Sequence, residues 1–206
     1  MTDPFAPEDG KKLSRALAAD IVLSTTNGTR YRTLDAVGGV VNGGTTTPSF
    51  IIQGPGEYEV KDVFVTGVPV LPADNGDAKS EAKEKPLHTI YYIVIDDVHI
   101  LHLGPLAHPL HNKDIEQFSN IDVLFVPIGG HDVLNAKQAE ELVQQLEPRV
   151  IVPIMYKSGS VGVAYDSIEP FLKAMGSGKK EALPKLKLLK KDMPQDEMQV
   201  MVLEAV

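Results

Sequence analysis

Apolar residues fall in short, nearly unbroken runs rich in β-branched side chains, at 21–23, 50–52, 63–70, 90–95, 121–128 and 150–154. Runs of this kind, with no polar alternate position, predict strands covered on both faces, as in a layered α/β domain. Between the last two runs the spacing changes. Ala136, Ala139, Leu142, Val143 and Leu146 recur at helical intervals behind Asn135, a favourable N-cap, so a strand, a helix and a strand follow one another. A helical crossover predicts a parallel strand pair with a right-handed connection. A shorter helix is predicted after Asn112 with Ile115 and Phe118 inward, and another over 167–175, where Pro170 suits a first turn. Asp96-Asp97 reads as a hairpin turn between 89–95 and 98–103, and the closing strands are predicted at 185–189 and 198–203.

The polar stretches complete this picture. Residues 73–86, ADNGDAKSEAKEKP, hold almost no large apolar group and predict a mobile surface loop inside one domain spanning 1–206. Lys185-Leu186-Lys187-Leu188 alternates, so the basic cluster with Lys190 and Lys191 reads as the solvated face of a strand. The glycine-rich Gly54 to Tyr58 precedes a strand instead of opening a helix, which makes it a turn and not a phosphate cradle.

Composition narrows the partners. Over 206 residues, 43% hydrophobic and 23% charged content predicts a packed core, and a net charge of −8 disfavours nucleic acid and anionic membranes. The absence of cysteine excludes disulfides, thiolate metal sites and cysteine nucleophiles, and it suits a reducing compartment. No run approaches the roughly 18 apolar residues of a membrane span, and the opening MTDPFAPEDGKK lacks the apolar centre of a signal peptide. A cytoplasmic location is the expectation.

Several blocks taken together resemble a known family. GPGEYEVKDVFVTGVPV (54–70), TIYYIVIDDVHILHLG (89–104), VLFVPIGG (123–130) and AKQAEELVQQLEPRVIVPIMYK (136–157), with the opening TDPFAPEDGKKLSRALAADIVLST (2–25), are similar in order and spacing to the small bacterial zinc-dependent hydrolases of the metallo-β-lactamase superfamily. The resemblance implies an α/β fold, the superfamily's αββα sandwich. Such relatives begin with a hairpin upstream of the TDPF segment; if Met1 is the true start, the expectation is that this hairpin is lacking and a sheet edge is left unpaired, the alternative being that Met1 is an internal methionine taken as the start.

The resemblance also implies a metal site, and the ligands it requires are missing. Active relatives carry His-x-His-x-Asp-His after a strand ending in Thr, binding two zinc ions that lower the pKa of an attacking water to about 7. Here that pattern falls on Thr26, Asn27, Gly28, Thr29, Arg30 and Tyr31. Thr26 and Gly28 replace histidines, Arg30 the aspartate and Tyr31 the last histidine. A further histidine is expected where Leu71 and Pro72 stand, the bridging aspartate is Pro105, and the final histidine is Met155. Arg30 sets a fixed positive charge where cations would sit, and a guanidinium has no lone pair to give.

Of the histidines present, His99 and His102 lie three apart on one strand and should point to opposite faces. His102 and His108 match positions that relatives fill beside their ligand set. His108 and His111 flank Pro109 in a loop. His131, after Gly129-Gly130, is the best placed for a ligand site at the strand ends. Asn27-Gly28 is by itself a good hairpin signal, whereas the resemblance puts a loop there and a short helix over 33–37.

These readings lead to a hydrolase-like protein that holds no metal cofactor, a pseudoenzyme, with Arg30, Tyr31, His131 and Tyr156 rimming a site for a small anionic ligand or a protein partner. Two alternatives stand beside it. One is an active metal-dependent hydrolase of an ester, lactone or phosphate using a rebuilt site; the other is an assembly role in which the exposed edge joins two copies into a homo-oligomer.

Overall fold

The computed structural model describes residues 1–4, 17–26, 34, 37–70, 88–158 and 164–204. The segment predicted as a mobile loop, 73–86, lies outside them, as do Asn27, Gly28, Arg30, Tyr31 and Pro72. In chain order the elements are β1 (Leu17–Ala18), β2 (Ile21–Leu23), β3 (Val37–Gly38), β4 (Val40–Asn42), β5 (Thr45–Thr47), β6 (Phe50–Ile52), β7 (Gly56–Val60), β8 (Val63–Val70), β9 (His88–Ile95), β10 (Val98–His102), α1 (Asn112–Ile115), β11 (Val123–Pro127), α2 (Ala136–Leu146), β12 (Val150–Ile154), α3 (Glu169–Ala174) and β13 (Gln199–Val200). The principal sheet runs β13-β12-β11-β10-β9-β8-β7. Its β10 to β13 half is parallel and its β7 to β10 half antiparallel.

Local chemistry explains the connections. Asn135 caps α2 through a reciprocal box: its side chain accepts from Gln138 N at 3.0 Å, while Gln138 Oε1 accepts from Asn135 N at 3.0 Å. The helix ends on Glu147 in the left-handed conformation, and it buries Ala139, Leu142, Val143 and Leu146. Between β11 and β12 it produces the parallel pair that the spacing predicted. Asp96 and Asp97 both adopt positive φ, 50° and 60°, the requirement of a type I′ turn, and join β9 to β10. Pro170 sits in the first turn of α3, and Ile115 and Phe118 pack inward as the spacing predicted.

Two apolar layers flank the sheet. On one face Ile90, Leu101, Leu124 and Ile151 pack with α2 and with Phe171 and Leu172 of α3. On the other face lie Val65, Tyr91, Val123, Val150 and Val152, met by β2 and β6 at one side and by Leu186, Leu188 and Met193 at the other. Strands β2 and β6 pair in parallel, and Thr2 bridges to Leu23 on the far side of β2. Tyr91 joins the two sheets by donating to Ser24 O at 2.9 Å, and burial pushes its hydroxyl well above the ordinary phenol pKa. Mixed β-sheets flanked by helices form the αββα architecture that the resemblance implied. Among the described residues no helix is long and apolar enough to cross a membrane.

At the N-terminal ends of the parallel strands a buried carboxylate ties three elements. Asp122, 1% exposed, accepts from His99 N at 2.9 Å and from Lys190 Nζ at 2.5 Å, with Arg149 Nε at 3.6 Å. Lys190 is therefore a structural cation, while Lys185 and Lys187 face solvent as the alternation predicted.

Three expectations need correction. Among the described residues 185–189 belong to no ladder: Leu186 and Leu188 pack in the cluster on the inner face of the sheet, and neighbouring Leu183 forms an isolated bridge to Leu203. The apolar runs at 50–52 and 63–70 are not covered on both faces, since Phe50 and Phe64 are 47% and 50% exposed. An unbroken apolar run does not reveal where a covering layer stops. Finally, Val37, placed in a short helix by the resemblance, pairs with Leu17 in β3.

Candidate functional site

The C-terminal ends of β2, β10, β11 and β12 place Thr25-Thr26, Gly104-Pro105, Gly129 to His131 and Met155-Tyr156 beyond the sheet. The side chain that organises this end is Asp3. Buried and itself at a positive φ of 44°, it accepts from Thr25 N at 2.8 Å, from Thr25 Oγ1 at 2.9 Å, and from His102 Nε2 at 3.1 Å. Each carboxylate oxygen is engaged. A carboxylate can only accept here, so the proton of His102 resides on Nε2. The remaining edge of His102 meets Phe125, the two ring centroids being 5.7 Å apart.

Beside this network, His88 Nε2 lies 2.8 Å from Leu103 O, which can only accept, so that nitrogen carries the proton. Burial depresses the His88 pKa below its ordinary 6.5; the bond to Leu103 and the charge of Asp3 oppose that shift, and His102 and His108 reinforce it. The neutral ring is thus the form that the fold favours. A histidine held low takes up its proton less readily folded than unfolded, so stability is flat above pH 6.5 and falls as pH drops through and below that value. Thermal unfolding between pH 8 and pH 5 should show this, and His88→Gln should flatten the acid limb.

The turns at the strand ends are tight. Gly104 adopts φ 57°, and a Cβ there would stand 2.4 Å from Thr25 Oγ1. A Cβ on Gly129 would stand 2.1 Å from Met155 O. Met155, where the resemblance expects the final histidine, is half-buried in the left-handed region at φ 53°, a conformation that costs a non-glycine residue about 1–2 kcal/mol. The corner therefore carries a side chain that supplies no imidazole.

The other residues singled out from sequence lie as follows. Thr26 is buried and bridges to His88. Pro105 is half-buried in the turn after β10. His131 is exposed, at φ 56°. Tyr156 is half-buried, and its hydroxyl donates to Leu203 O at 3.3 Å. His99 and His102 do point to opposite faces, His99 Nδ1 meeting Tyr92 Oη at 2.5 Å on the helix-covered side. Sequence reasoning missed Asp3, Thr25 and His88 as a group. Its one available signal was an acidic residue in the otherwise extended, apolar TDPF opening.

Among the described residues the donor chemistry does not fit a zinc centre. Among the described residues no group of three or more histidine, aspartate or glutamate side chains could hold a metal ion. Both carboxylate oxygens of Asp3 accept from protein donors, and one nitrogen each of His88 and His102 is bonded to a protein acceptor. Such bonds orient imidazoles in metal sites too, so it is the lack of three converging donors among the described residues that separates this arrangement from a zinc centre.

Comparison with known proteins agrees with this fold. A structure from Thermotoga maritima assigned to the Zn-dependent hydrolases of the metallo-β-lactamase superfamily superimposes with a TM-score of 0.68 at 24% identity, covering 98% of this chain and 88% of that one. A metal-dependent hydrolase structure from Parabacteroides distasonis gives 0.56 at 15% identity, over 91% and 77% of the two chains. In sequence, a UPF0173 metal-dependent hydrolase of Pyrococcus horikoshii is 34% identical over 108 residues, 50% of this chain and 44% of the relative. This chain thus matches less than half the length of that curated relative. The model of the β-lactamase superfamily domain matches residues 1–155, and with the sheet order and the strand-end frame above, the chain belongs to the β-lactamase superfamily.

Proposed function

We propose that this protein is a hydrolase-like scaffold that works without a metal, binding a small anion at the C-terminal ends of its parallel strands. The observation that carries this reading is the Asp3 carboxylate, fully engaged by Thr25 and His102 at the end of the sheet where relatives gather metal ligands. Hydrogen bonds from Thr25 and His102 to Asp3, and from His88 to Leu103 O, hold the strand ends together, the task that coordination would otherwise share. In sequence, Arg30 and Tyr31 replace two ligands of the metal motif. A guanidinium grips a carboxylate or phosphate bidentately, which makes Arg30 the anchor and His131 and Tyr156 the rim.

The test is titration with inorganic phosphate and with acetate, followed by calorimetry, on the parent chain and on Arg30→Ala. The expected result is saturable binding that weakens about tenfold or more in the variant, equivalent to about 1.4 kcal/mol. Unchanged affinity removes Arg30 from the site, and failure of both anions to bind the parent chain refutes the anion-binding role. Metal-dependent turnover of an ester, lactone or phosphate ester would favour the active-hydrolase alternative.

A further inference from the structure

Burial on the helix side of the principal sheet is graded from its centre to β7. Residues directly opposite one another on antiparallel strands share a face, so the registers define rows on the side that carries α2 and α3. One row runs Leu101, Tyr92, Thr66, Glu57 across β10, β9, β8 and β7, and the next runs His99, Val94, Phe64, Glu59. Along the first, Leu101 is completely buried, Tyr92 and Thr66 are half-buried and Glu57 is exposed. Along the second, Val94 is half-buried and Phe64 has half of its surface in water. A phenylalanine so exposed on a sheet face lies where the packed layer thins out.

Two features bound this apolar strip. Toward the sheet centre, Phe118, just beyond α1, meets Tyr92 with ring centroids 6.2 Å apart, and Tyr92 Oη donates to Ser119 O at 2.9 Å. Toward the other side stand Glu57 and Glu59 of β7, both exposed. Between them β8 presents Phe64, Thr66 and Val68 on this face. From β9 to β7 is two strand spacings, roughly 10 Å. A helix with its side chains is about 10 Å across, so one laid along β8 spans that width.

Charge selects the occupant. Glu57 and Glu59 alternate with inward Tyr58, so both carboxylates flank the strip on the same side. The nearest lysine in sequence, Lys61, is paired with Asp20. The chain as a whole carries −8. Two copies meeting on this face would bring acidic rims and acidic bodies together, whereas a cationic partner is attracted at both scales.

We infer that this face docks a basic amphipathic helix of a partner polypeptide, its apolar side on Phe64, Val68 and Val94 and its lysines or arginines beside Glu57 and Glu59. The docked helix extends over β8 the layer that α2 and α3 form over β10 to β13. Apolar contact supplies the affinity, and the two carboxylates supply orientation and the preference for a cationic partner.

The chain contains no tryptophan, so Phe64→Trp places a single fluorescent reporter on the strip. The probe is a synthetic peptide of about 18 residues, above the length at which isolated helices are marginal in water, with leucines on one side of the helix and lysines on the other. One control has the same composition with its leucines scattered around the helix; a second has glutamates in place of the lysines. The lysine helix should bind the full chain saturably, shift the reporter emission to the blue, and bind at least about tenfold tighter than either control. With the peptide labelled instead and followed by anisotropy, Phe64→Ser should weaken binding about tenfold, the scale of the apolar area lost. Glu57→Lys/Glu59→Lys should reverse the preference between lysine and glutamate helices. All three positions are exposed, and unfolding midpoints check that the variants stay folded. Absence of saturable binding, an unshifted reporter or equal affinity for the scattered peptide overturns the inference, as does binding that ignores Phe64→Ser or the charge reversal. Concentration-dependent self-association abolished by Phe64→Ser overturns it in favour of a second copy.

Discussion

Asp3→Ala should destabilise the fold by about 3–4 kcal/mol, as expected when one partner is deleted from a buried, charge-assisted network. The carboxylate accepts from a backbone N–H, a hydroxyl and an imidazole in surroundings with little access to water. Its removal strands the Thr25 N–H and the His102 Nε2–H. It also leaves the opening segment held on β2 by its backbone bonds alone, from Asp3 N to Leu23 O and from Leu23 N to Met1 O, each 2.9 Å. Asp3→Asn keeps one acceptor oxygen but opposes an amide donor to a ring donor, so about half the loss is expected. Urea unfolding of the three proteins measures these differences. A loss under about 1 kcal/mol for Asp3→Ala would show that the network is dispensable.

Gly104→Ala should cost about 2–4 kcal/mol, the sum of left-handed strain and overpacking. The two contributions are separable. At φ 57° any side chain is strained, and this Cβ would also press on Thr25 Oγ1, which is already fixed by Asp3. Combining Gly104→Ala with Thr25→Gly relieves the steric part, because Oγ1, Cβ and the γ-methyl, the three atoms a Cβ at 104 would meet, are all gone, and leaves the backbone part. Chemical denaturation of the single and double variants should therefore show non-additivity, the double variant losing less than the two singles together. Strict additivity would mean that the close approach plays no part in stability.

Much of the framework was legible in the sequence because it is locally encoded. Asn135 and Gln138 are three residues apart and build their cap within one turn; Asp96-Asp97 is itself the hairpin; the inward set of α2 is read directly from its spacing. The alternation at 185–188 also gave the correct inward and outward sets, although it could not say that the segment joins no ladder among the described residues. The site was less legible. Asp3 meets Thr25 across 22 residues and His102 across 99, separations that no local pattern reports. Loss of metal ligands was visible as substitutions at expected positions, but their replacement by a hydrogen-bonded network required three-dimensional contacts. The coverage of 50–52 and 63–70 was overestimated for a related reason, since a run of apolar residues records burial demand without recording which partner meets it.

His88 illustrates how the network constrains chemistry. Its proton is held on Nε2 by Leu103 O, and burial favours the neutral ring. Such a histidine is well suited to bracing a turn. Its neighbour His102 is likewise oriented by a carboxylate, and among the described residues no group of three or more such donors could hold a metal ion.

The central claim is that this family member holds its strand ends together without metal coordination. Elemental analysis of untagged, purified protein, before and after incubation with excess zinc and desalting, tests it most directly. The account predicts no stoichiometric zinc, manganese or iron in either sample and an unchanged unfolding midpoint after zinc treatment. One or more metal ions retained per chain, together with a raised midpoint, would contradict it.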